Sequence, residues 1–348
     1  MKNNLPLVST IIPCRNEEKF IGMCLDSIIA NDYPKDRLEV LVVDGMSEDG
    51  TKKIIEIYEK QYQYINFLEN PKKITPFAFN IGIKNSKGEV IMIMGAHTAY
   101  EKDYISKCIK YLREYDADNI GGIMLSLPRN DSLIGKAIAI ALSNKFCVGS
   151  SRFRTGTKDV IEVDTVFGGC YKREVFDKIG LFNEELVSTQ DMEFNLRLKK
   201  AGGKIILHPE IISYYYTRSD FKSYCKNNFR NGMWVILPFK YSTIIPISLR
   251  HLVPLGFVLS LIISGALSFI FLFFFWLFLL IVGLYLLTSI YFSTKVAIKE
   301  KNIAYLFLMP IIFASFHVIY GLGSIWALLK VILMKRFWRN LFIILKNR

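Results

Sequence analysis

Two runs of polar residues, each directly after a short apolar run, carry side chains that could hold a ligand. The first is Pro13-Cys14-Arg15-Asn16-Glu17, and the second begins at Asp44. A carboxylate such as Asp44 at the end of a strand can accept hydrogen bonds from the N–H or hydroxyl groups of a nucleoside. Asn16, Ser47 and Asp49 also suit turns and helix caps, so a purely structural role is an alternative for each of them.

The apolar pattern around these runs predicts an α/β domain. Residues 8–12, 39–43, 90–94 and 120–125 are predicted strands, and residues 17–29, 51–62, 104–115 and 192–201 are predicted helices. The run 90–94 is continuously apolar, as is typical of a parallel sheet covered by helices on both faces. Because ligands bind at the carboxyl ends of the strands in such folds, the two polar runs are expected to meet in one crevice.

The composition excludes several classes of function. The chain has 348 residues, 51% of them hydrophobic, which argues against disorder and against a fully soluble protein. The net charge is +13, yet the first 250 residues hold 35 basic and 30 acidic side chains, so no nucleic-acid partner is expected. Neither GxGxxG nor GxxxxGK[ST] occurs, which argues against dinucleotide and P-loop sites. The six cysteines lack any CxxC pair, which favours free thiols in a reducing cytosol over zinc or disulfides.

The C-terminal third has the composition of a membrane domain. Residues 251–294 contain no Lys, Arg, Asp or Glu, and these 44 residues would make about 66 Å of helix, enough for two crossings. A second apolar stretch, 303–329, is either one helix or re-entrant. Residues 330–348 carry six basic side chains and no acid, interleaved with aromatic residues, which is typical of an interfacial amphipathic helix. The predicted domains are therefore 1–241, cytosolic, and 242–348, in the membrane.

The number of crossings stays open at this stage. Three crossings would place the basic tail 330–348 on the side opposite Lys295, Lys299 and Lys301. That arrangement conflicts with the tendency of short cytosolic segments to carry the positive charge.

Five segments carry a family resemblance. In chain order they are IIPCRNEEKFIGMCLDSI, EVLVVDGMSEDGT, NPKKITPFAFNIGIKNSKGEVI, FGGCYKREVFDKIGLFNEELVSTQDMEFNLRLKKAG and YTRSDFKSYCKNNFRNGMW. They all lie within residues 8–234 and resemble the family-2 glycosyltransferases of the GT-A fold, most of all the succinoglycan-type membrane-associated glucosyltransferases. The resemblance implies a Rossmann-like domain with a mostly parallel sheet, followed by C-terminal transmembrane helices.

The resemblance assigns a nucleotide-sugar site to the two polar runs. Pro13, Arg15, Asn16 and Glu17, together with Asp44, would hold the base and ribose of the donor. Two residues of a helical segment, Asn80 and Gly82, would lie beside them.

The resemblance also places the family's DxD motif at Gly95-Ala96-His97. His97 would then be the ligand of a divalent metal, Mn²⁺ or Mg²⁺, and Ala96 would lie against the donor. Because Gly95 replaces the first carboxylate, the ion would be held weakly. A plain strand-end histidine is the alternative for His97.

The acceptor side is implied in the same way. Asp191 would be the general base, with Gln190 in the place of the family's other acid, although Asp191 also suits a helix cap. Gly168-Gly169 would let the backbone approach the acceptor sugar. Arg218 and Arg230 would supply positive charge to a diphosphate where the metal is weak, or would simply be basic residues near anionic lipid.

The implied function is inverting transfer of a sugar from a nucleotide-diphospho-sugar, expected to be UDP-linked, to a polyprenyl-diphosphate-linked oligosaccharide during glycan assembly. The implied location is the cell membrane, with several crossings, contact with membrane lipid and the catalytic domain on the cytosolic side. Three alternatives stay open: a polyprenyl-phosphate sugar synthase, a non-catalytic nucleotide-sugar-binding subunit, and a small transporter. The first would make a sugar monophospholipid, and the second would bind nucleotide without turnover.

Overall fold

The computed structural model describes residues 5–241 and 248–346. Its strands are β1 (Val8–Cys14), β2 (Leu38–Asp44), β3 (Ile65–Glu69), β4 (Val90–Ile93), β5 (Thr98–Tyr100), β6 (Asn119–Pro128), β7 (Ile161–Glu162), β8 (Cys170–Lys172) and β9 (Ile205–Thr217). Its first ten helices are α1 (Ile21–Ile29), α2 (Thr51–Gln61), α3 (Thr75–Asn85), α4 (Tyr104–Glu114), α5 (Leu133–Ala141), α6 (Lys145–Val148), α7 (Arg152–Thr155), α8 (Glu174–Ile179), α9 (Gln190–Lys200) and α10 (Phe221–Ile236). The last five are α11 (Pro238–Tyr241), α12 (Leu249–Leu267), α13 (Leu272–Lys299), α14 (Ala304–Val331) and α15 (Lys335–Lys346).

The strands form one sheet in the order β3-β2-β1-β4-β8-β6-β9-β5, with β7 paired to β9. β3, β2, β1 and β4 are parallel, in a register that sets Cys14 beside Asp44. β8 runs antiparallel to β4 and β6, and β9 runs antiparallel to β5 and β7. Both polar runs of the sequence therefore leave the sheet at the same edge, where the parallel strands end.

The predicted strands and helices of this half are confirmed, although several boundaries differ: β1 ends at Cys14, β6 ends at Pro128 and α9 begins at Gln190, and the largest shift is at α1. The predicted helix 17–29 begins only at Ile21, because residues 18–20 form a turn and the Glu17 N–H donates to Thr51 Oγ1 at 2.8 Å. The helix buries one face against the sheet, as its apolar spacing predicts. That face consists of Ile21, Cys24, Leu25 and Ile28.

The chain forms two compact units. The first contains the residues up to Leu125 together with Gly156–Tyr216, and the second contains Ser126–Thr155 together with Thr217–Arg348. The first unit holds the sheet and its covering helices. The second unit holds α10 to α15 and also the segment 126–155, which precedes them by about sixty residues in the chain. The domain boundary predicted between residues 241 and 242 falls beside residues 242–247, which lie outside the described residues.

Three helices of the second unit, Arg250–Leu267, Leu272–Lys299 and Ala304–Val331, are long and apolar enough to cross a membrane. The charge-free stretch forms two of them, α12 and α13, with the turn at residues 268–271. The second apolar stretch forms one continuous helix, α14, in spite of Pro310 inside it.

Candidate active site

The two polar runs are tied into one surface by Asn16. The Asn16 backbone N–H donates to Ser47 Oγ at 2.9 Å, and Asn16 Oδ1 accepts from the Glu48 N–H at 2.9 Å. Asn16 has φ +55°, in the left-handed region that asparagine tolerates better than most residues. The expected meeting of the two runs is therefore present, and the turn residues Asn16 and Ser47 are what hold it together.

Asp44 lies at the base of this surface and is 2% exposed. Its Oδ2 accepts from the Ser47 N–H at 2.9 Å, and its Oδ1 accepts from the Ser47 hydroxyl. The Cys14 thiol lies 3.7 Å from Oδ1, and burial, reinforced by Asp44, raises the pKa of this thiol far above its usual range, so it stays a neutral donor. Since a carboxylate has about four acceptor positions, Asp44 keeps capacity for a ligand.

Pro13 and Arg15 flank Asp44 differently. Pro13 is half-buried within β1, opposite Val43 of β2. The Arg15 guanidinium is exposed and lies 3.6 Å from Glu48 Oε1, a surface ion pair that contributes little to stability. Arg15 is therefore accessible to an anionic ligand. Pro13 has no polar side-chain atom, so it can contribute only to the shape of the end of β1.

Glu17, which follows β1, and His97, which follows β4, form a side-chain pair. His97 Nδ1 lies 2.9 Å from Glu17 Oε1, and both side chains are largely buried. Burial of the ring opposes protonation, but Tyr215 and Glu17 favour it more strongly, so the pKa of His97 is raised to about 9. The segment that carries His97 is tightly packed: Ala96 is buried, and a Cβ on Gly95 would lie 2.9 Å from Thr98 Oγ1.

The donor set at His97 fits a divalent metal that takes most of its ligands from elsewhere. In the described part of the chain, no group of three His, Cys, Asp or Glu side chains is placed to hold one ion. His97 offers one imidazole, and Glu17 sits where a carboxylate orients a metal-binding histidine. An ion bound here would compete with a proton for the imidazole of His97.

Asn80 is placed as a support for the neighbouring loop. It lies within α3, 3% exposed, and donates from Nδ2 to Phe182 O and Glu184 Oε1, both at 2.9 Å. Its Oδ1 accepts from the Phe182 N–H at 3.0 Å. Both the nitrogen and the oxygen of the Asn80 side-chain amide thus form hydrogen bonds within the protein. A direct contact between Asn80 and the donor stays a prediction.

Asp191 lies in the first turn of α9 and is half-buried. Burial raises the pKa of Tyr171 far above its usual range, and the charge of the nearby Asp191 raises it further. Gln190 Oε1 is buried and has no hydrogen-bond partner within residues 5–241 and 248–346.

A buried polar network beneath α9 was not predicted from the sequence. Asn195 accepts from Asn119 Nδ2 at 3.0 Å and from the Tyr171 hydroxyl at 3.2 Å, and donates to Thr165 Oγ1 at 2.9 Å. All of these partners lie far from Asn195 in the chain, so no spacing in the sequence could have found them. The network fixes the helix that carries Asp191 to β6 and β8.

The opposite side of α9 is held by a second unpredicted pair. Arg197 donates to Glu193 at 2.8 Å and to the carbonyl of Leu181 at 2.7 Å. Burial raises the pKa of Glu193, although Arg197 opposes that shift. The spacing of four residues between Glu193 and Arg197 can be read from the sequence and indicates an ion pair on one face of a helix. The burial of this pair cannot be read from the sequence.

Gly168 and Gly169 are required by local packing. Both have positive φ, +69° and +109°. A Cβ on Gly168 would lie 2.4 Å from Ile93 O, and a Cβ on Gly169 would lie 2.6 Å from the Tyr171 ring. The predicted approach of an acceptor sugar is compatible with this backbone but is not needed to explain the glycines.

Arg218 and Arg230 belong to the second unit, where they lie together. Arg218 Nη1 and Arg230 Nη2 both donate to Asn227 Oδ1, at 3.2 and 3.0 Å. Both side chains are exposed. Two guanidinium groups that share one amide oxygen form a positive site suited to an anion such as phosphate.

The parallel strands β3, β2, β1 and β4, followed by the mixed part of the sheet, make up the GT-A fold. The fold is also that of the mannosyltransferase PcManGT from Pyrobaculum calidifontis, solved with GDP-Man and Mn²⁺. That structure matches with a TM-score of 0.63 and 19% identity, over 93% of this chain and 88% of the other.

Sequence comparison identifies the family. The model of Glycosyl transferase family 2 matches residues 9–180. A dolichyl N-acetyl-alpha-D-glucosaminyl phosphate 3-beta-D-2,3-diacetamido-2,3-dideoxy-beta-D-glucuronosyltransferase of Methanococcus voltae is 31% identical, over 93% of this chain and 97% of its own length. The succinoglycan biosynthesis protein ExoA of Rhizobium meliloti is 27% identical, over 60% of this chain and 63% of its own. The chain belongs to glycosyl transferase family 2, so the predicted family, GT-A fold and enzyme class are confirmed.

Proposed function

We propose that this glycosyltransferase is an inverting enzyme that moves a sugar from a nucleotide-diphospho-sugar, most simply a UDP-sugar, to a sugar carried on a polyprenyl lipid. The observation that carries the proposal is that one carboxylate, Asp44, is buried at the end of β2 while a second, Asp191, lies on a helix anchored by buried hydrogen bonds. The relative from Methanococcus voltae, similar over nearly the whole chain, is named for a lipid-phosphate-linked sugar acceptor. That name supports a lipid-linked sugar over the bare lipid phosphate as acceptor.

The proposed mechanism is a single displacement. Asp44, with Asn16 and Arg15 around it, binds and orients the nucleoside. Asp191 accepts the proton of the acceptor hydroxyl as that oxygen forms a bond to the anomeric carbon, and the electron pair of the breaking C–O bond leaves with the nucleoside diphosphate. Gln190, the residue before Asp191 in the chain, is proposed to contact the acceptor sugar.

His97 would hold a divalent ion when a nucleotide is bound. Such an ion supplies positive charge to the departing diphosphate. In this chain Glu17 orients the imidazole of His97, and both side chains are largely buried, which limits competition from water.

Arg218 and Arg230 are proposed to bind the phosphate of the lipid-linked acceptor. Their shared contact with Asn227 holds two positive charges together, and both belong to the unit that contains the apolar helices. The enzyme is accordingly proposed to work at the cytosolic face of a cell membrane.

Product analysis tests the proposed function. Full-length protein in lipid nanodiscs is incubated with a panel of nucleotide-sugars and with polyprenyl monophosphate- and diphosphate-linked N-acetylhexosamine. The expected product is the acceptor lipid heavier by one sugar residue, from one donor. A sugar monophospholipid formed from bare polyprenyl phosphate would instead establish the synthase alternative, and nucleotide binding without any turnover would establish the non-catalytic subunit.

Replacement of Arg230 by alanine is expected to lower kcat/KM for the lipid-linked acceptor at least about tenfold, since removing one preorganised donor to a charged oxygen commonly costs more than that. Lys226→Ala is the matched control, because Lys226 is an exposed cation one turn earlier on the same helix. Equal activity of both variants and the native enzyme would show that Arg230 is merely a surface cation.

A further inference from the structure

We propose that Met46 is a further binding residue of the donor site and that its side chain packs against the face of the nucleobase. The inference rests on the proposed function, because it takes Asp44 as the residue that holds the nucleoside. It adds an apolar contact to a site whose proposed contacts at Asp44, Asn16 and Arg15 are polar.

The backbone of Met46 has an unusual conformation. Its φ is +58°, in the left-handed region, where the Cβ of an L-residue crowds the following carbonyl oxygen. Glycine avoids this crowding, and asparagine and aspartate are enriched there because their short side chains can hydrogen-bond locally. Methionine has neither property, so the turn alone does not explain why methionine stands at this position.

Other residues with this conformation lie around the crevice. In residues 5–241 and 248–346, six non-glycine residues have positive φ, and three of them follow the parallel strands: Asn16 after β1, Met46 after β2 and Lys73 after β3. A fourth, Thr189, lies two residues before Asp191. Strained backbone collects at ligand sites, where it places a side chain or a backbone group in a required position.

The loop that carries Met46 is held by the residues on either side of it. A Cβ on Gly45 would lie 3.3 Å from Arg15 Cβ, and Ser47 Oγ accepts from the Asn16 N–H at 2.9 Å. Met46 itself is 39% exposed. The neighbouring residues therefore fix the position of the Met46 backbone against the first polar run, while part of its side chain is open to a ligand.

Met46 is the exposed apolar side chain of this surface. In residues 13–17 and 44–51, all of which the structure describes, the other exposed residues are Arg15, Asn16, Glu48 and Asp49. A single exposed apolar side chain needs no explanation on an ordinary surface. Here it is combined with a backbone conformation that costs free energy, and the combination points to a ligand that covers the side chain.

A nucleoside held by Asp44 lies within reach of Met46. The Asp44 carboxylate is buried at the end of β2, and Met46 comes two residues later, in the turn that brings the Ser47 N–H back to that carboxylate. Two residues of chain span at most about 7 Å. The long, unbranched methionine side chain can close the remaining gap to the base.

The chemistry of methionine suits the face of a base. Polar groups such as Asp44 and Asn16 can bond to the polar edge of a base and to the ribose, but they leave its flat faces uncovered. A thioether makes favourable contacts with aromatic rings, and three rotatable bonds let the side chain adapt to the ring. Such a contact favours a nucleotide over a diphosphate that lacks a base.

Methyl NMR tests the contact directly. Full-length protein in lipid nanodiscs is labelled with ¹³C at the methyl groups of its methionines, of which the sequence has ten, and the Met46 signal is identified by its absence from Met46→Gly. On titration with UDP or GDP in the presence of Mg²⁺, we expect a ring-current shift of the Met46 methyl that saturates together with binding. Pyrophosphate, which has no base, should leave this signal in place.

Affinity and stability should change independently in the Met46 variants. Met46→Gly and Met46→Ala are expected to bind the nucleotide about three- to tenfold more weakly, the size of a lost contact between sulfur and an aromatic ring. Met46→Gly should melt close to or above the native protein, because glycine adopts positive φ without strain. Lys301→Gly is the matched control: it relieves the same strain at φ +52° in the second unit and should leave nucleotide affinity unchanged.

Three results would overturn the proposal. Nucleotide binding that leaves the Met46 methyl signal in place, or that is as tight in Met46→Gly as in the native protein, would make Met46 a turn residue only. An equal loss of affinity for pyrophosphate would show that the substitution disturbs the loop. If the native protein bound neither UDP nor GDP, the proposed nucleotide site itself would fall, an outcome that the native titration separates from the other two.

Discussion

Asp191→Asn is expected to lower the rate of sugar transfer by about 10²–10⁴-fold, the usual contribution of a positioned general base. The substitution keeps the size of the side chain and removes its ability to take a proton. Because Asp44 and Asn16, the proposed nucleoside contacts, are unchanged, nucleotide binding should stay within about twofold of native. The measurements are single-turnover transfer to the lipid-linked acceptor and nucleotide titration by calorimetry.

The control for this variant is Asp177→Asn, an exposed carboxylate on α8 that should leave both quantities unchanged. A native-like rate for Asp191→Asn would assign Asp191 to helix capping and move the base elsewhere. A loss of nucleotide binding together with a lowered melting temperature would show that the substitution disturbs α9 rather than the chemistry.

Asp44→Asn is expected to weaken the binding of nucleotide and nucleotide-sugar by about 10- to 100-fold. A hydrogen bond to a charged group contributes about 1.5–3 kcal/mol, and a buried carboxylate at 2% exposure is poorly replaced by water. An asparagine at this position can still accept from Ser47, so the loop should hold its shape. Calorimetric titration with UDP and GDP measures the effect and also reports the preferred base.

Asp36→Asn is the matched control for Asp44→Asn, since Asp36 is an exposed carboxylate just before the start of β2, the strand that ends at Asp44. Thermal unfolding should place both variants close to the native protein. If Asp44→Asn bound nucleotide as tightly as native protein, Asp44 would be a loop anchor for Ser47 and the nucleoside would be held by other residues.

The sequence by itself determined the local elements and the edge of the sheet where the site lies. Strands β1, β2 and β4 and helices α1, α2 and α4 follow from apolar spacing within each segment, which depends on neighbours a few residues apart. Asp44 could be chosen from its place at a strand end, whereas Asp191 was chosen through the family resemblance. The family resemblance supplied the roles that residue types alone leave open.

Only the tertiary structure decided how these residues are held and what covers the apolar helices. Asn195 reaches Asn119 and Thr165, and α14 packs on α10 and on the segment 126–155, through contacts between residues distant in the chain. Composition makes α14 look like α13, because hydrophobicity reports that a helix avoids water and not whether lipid or protein surrounds it. That difference depends on which surfaces meet after folding.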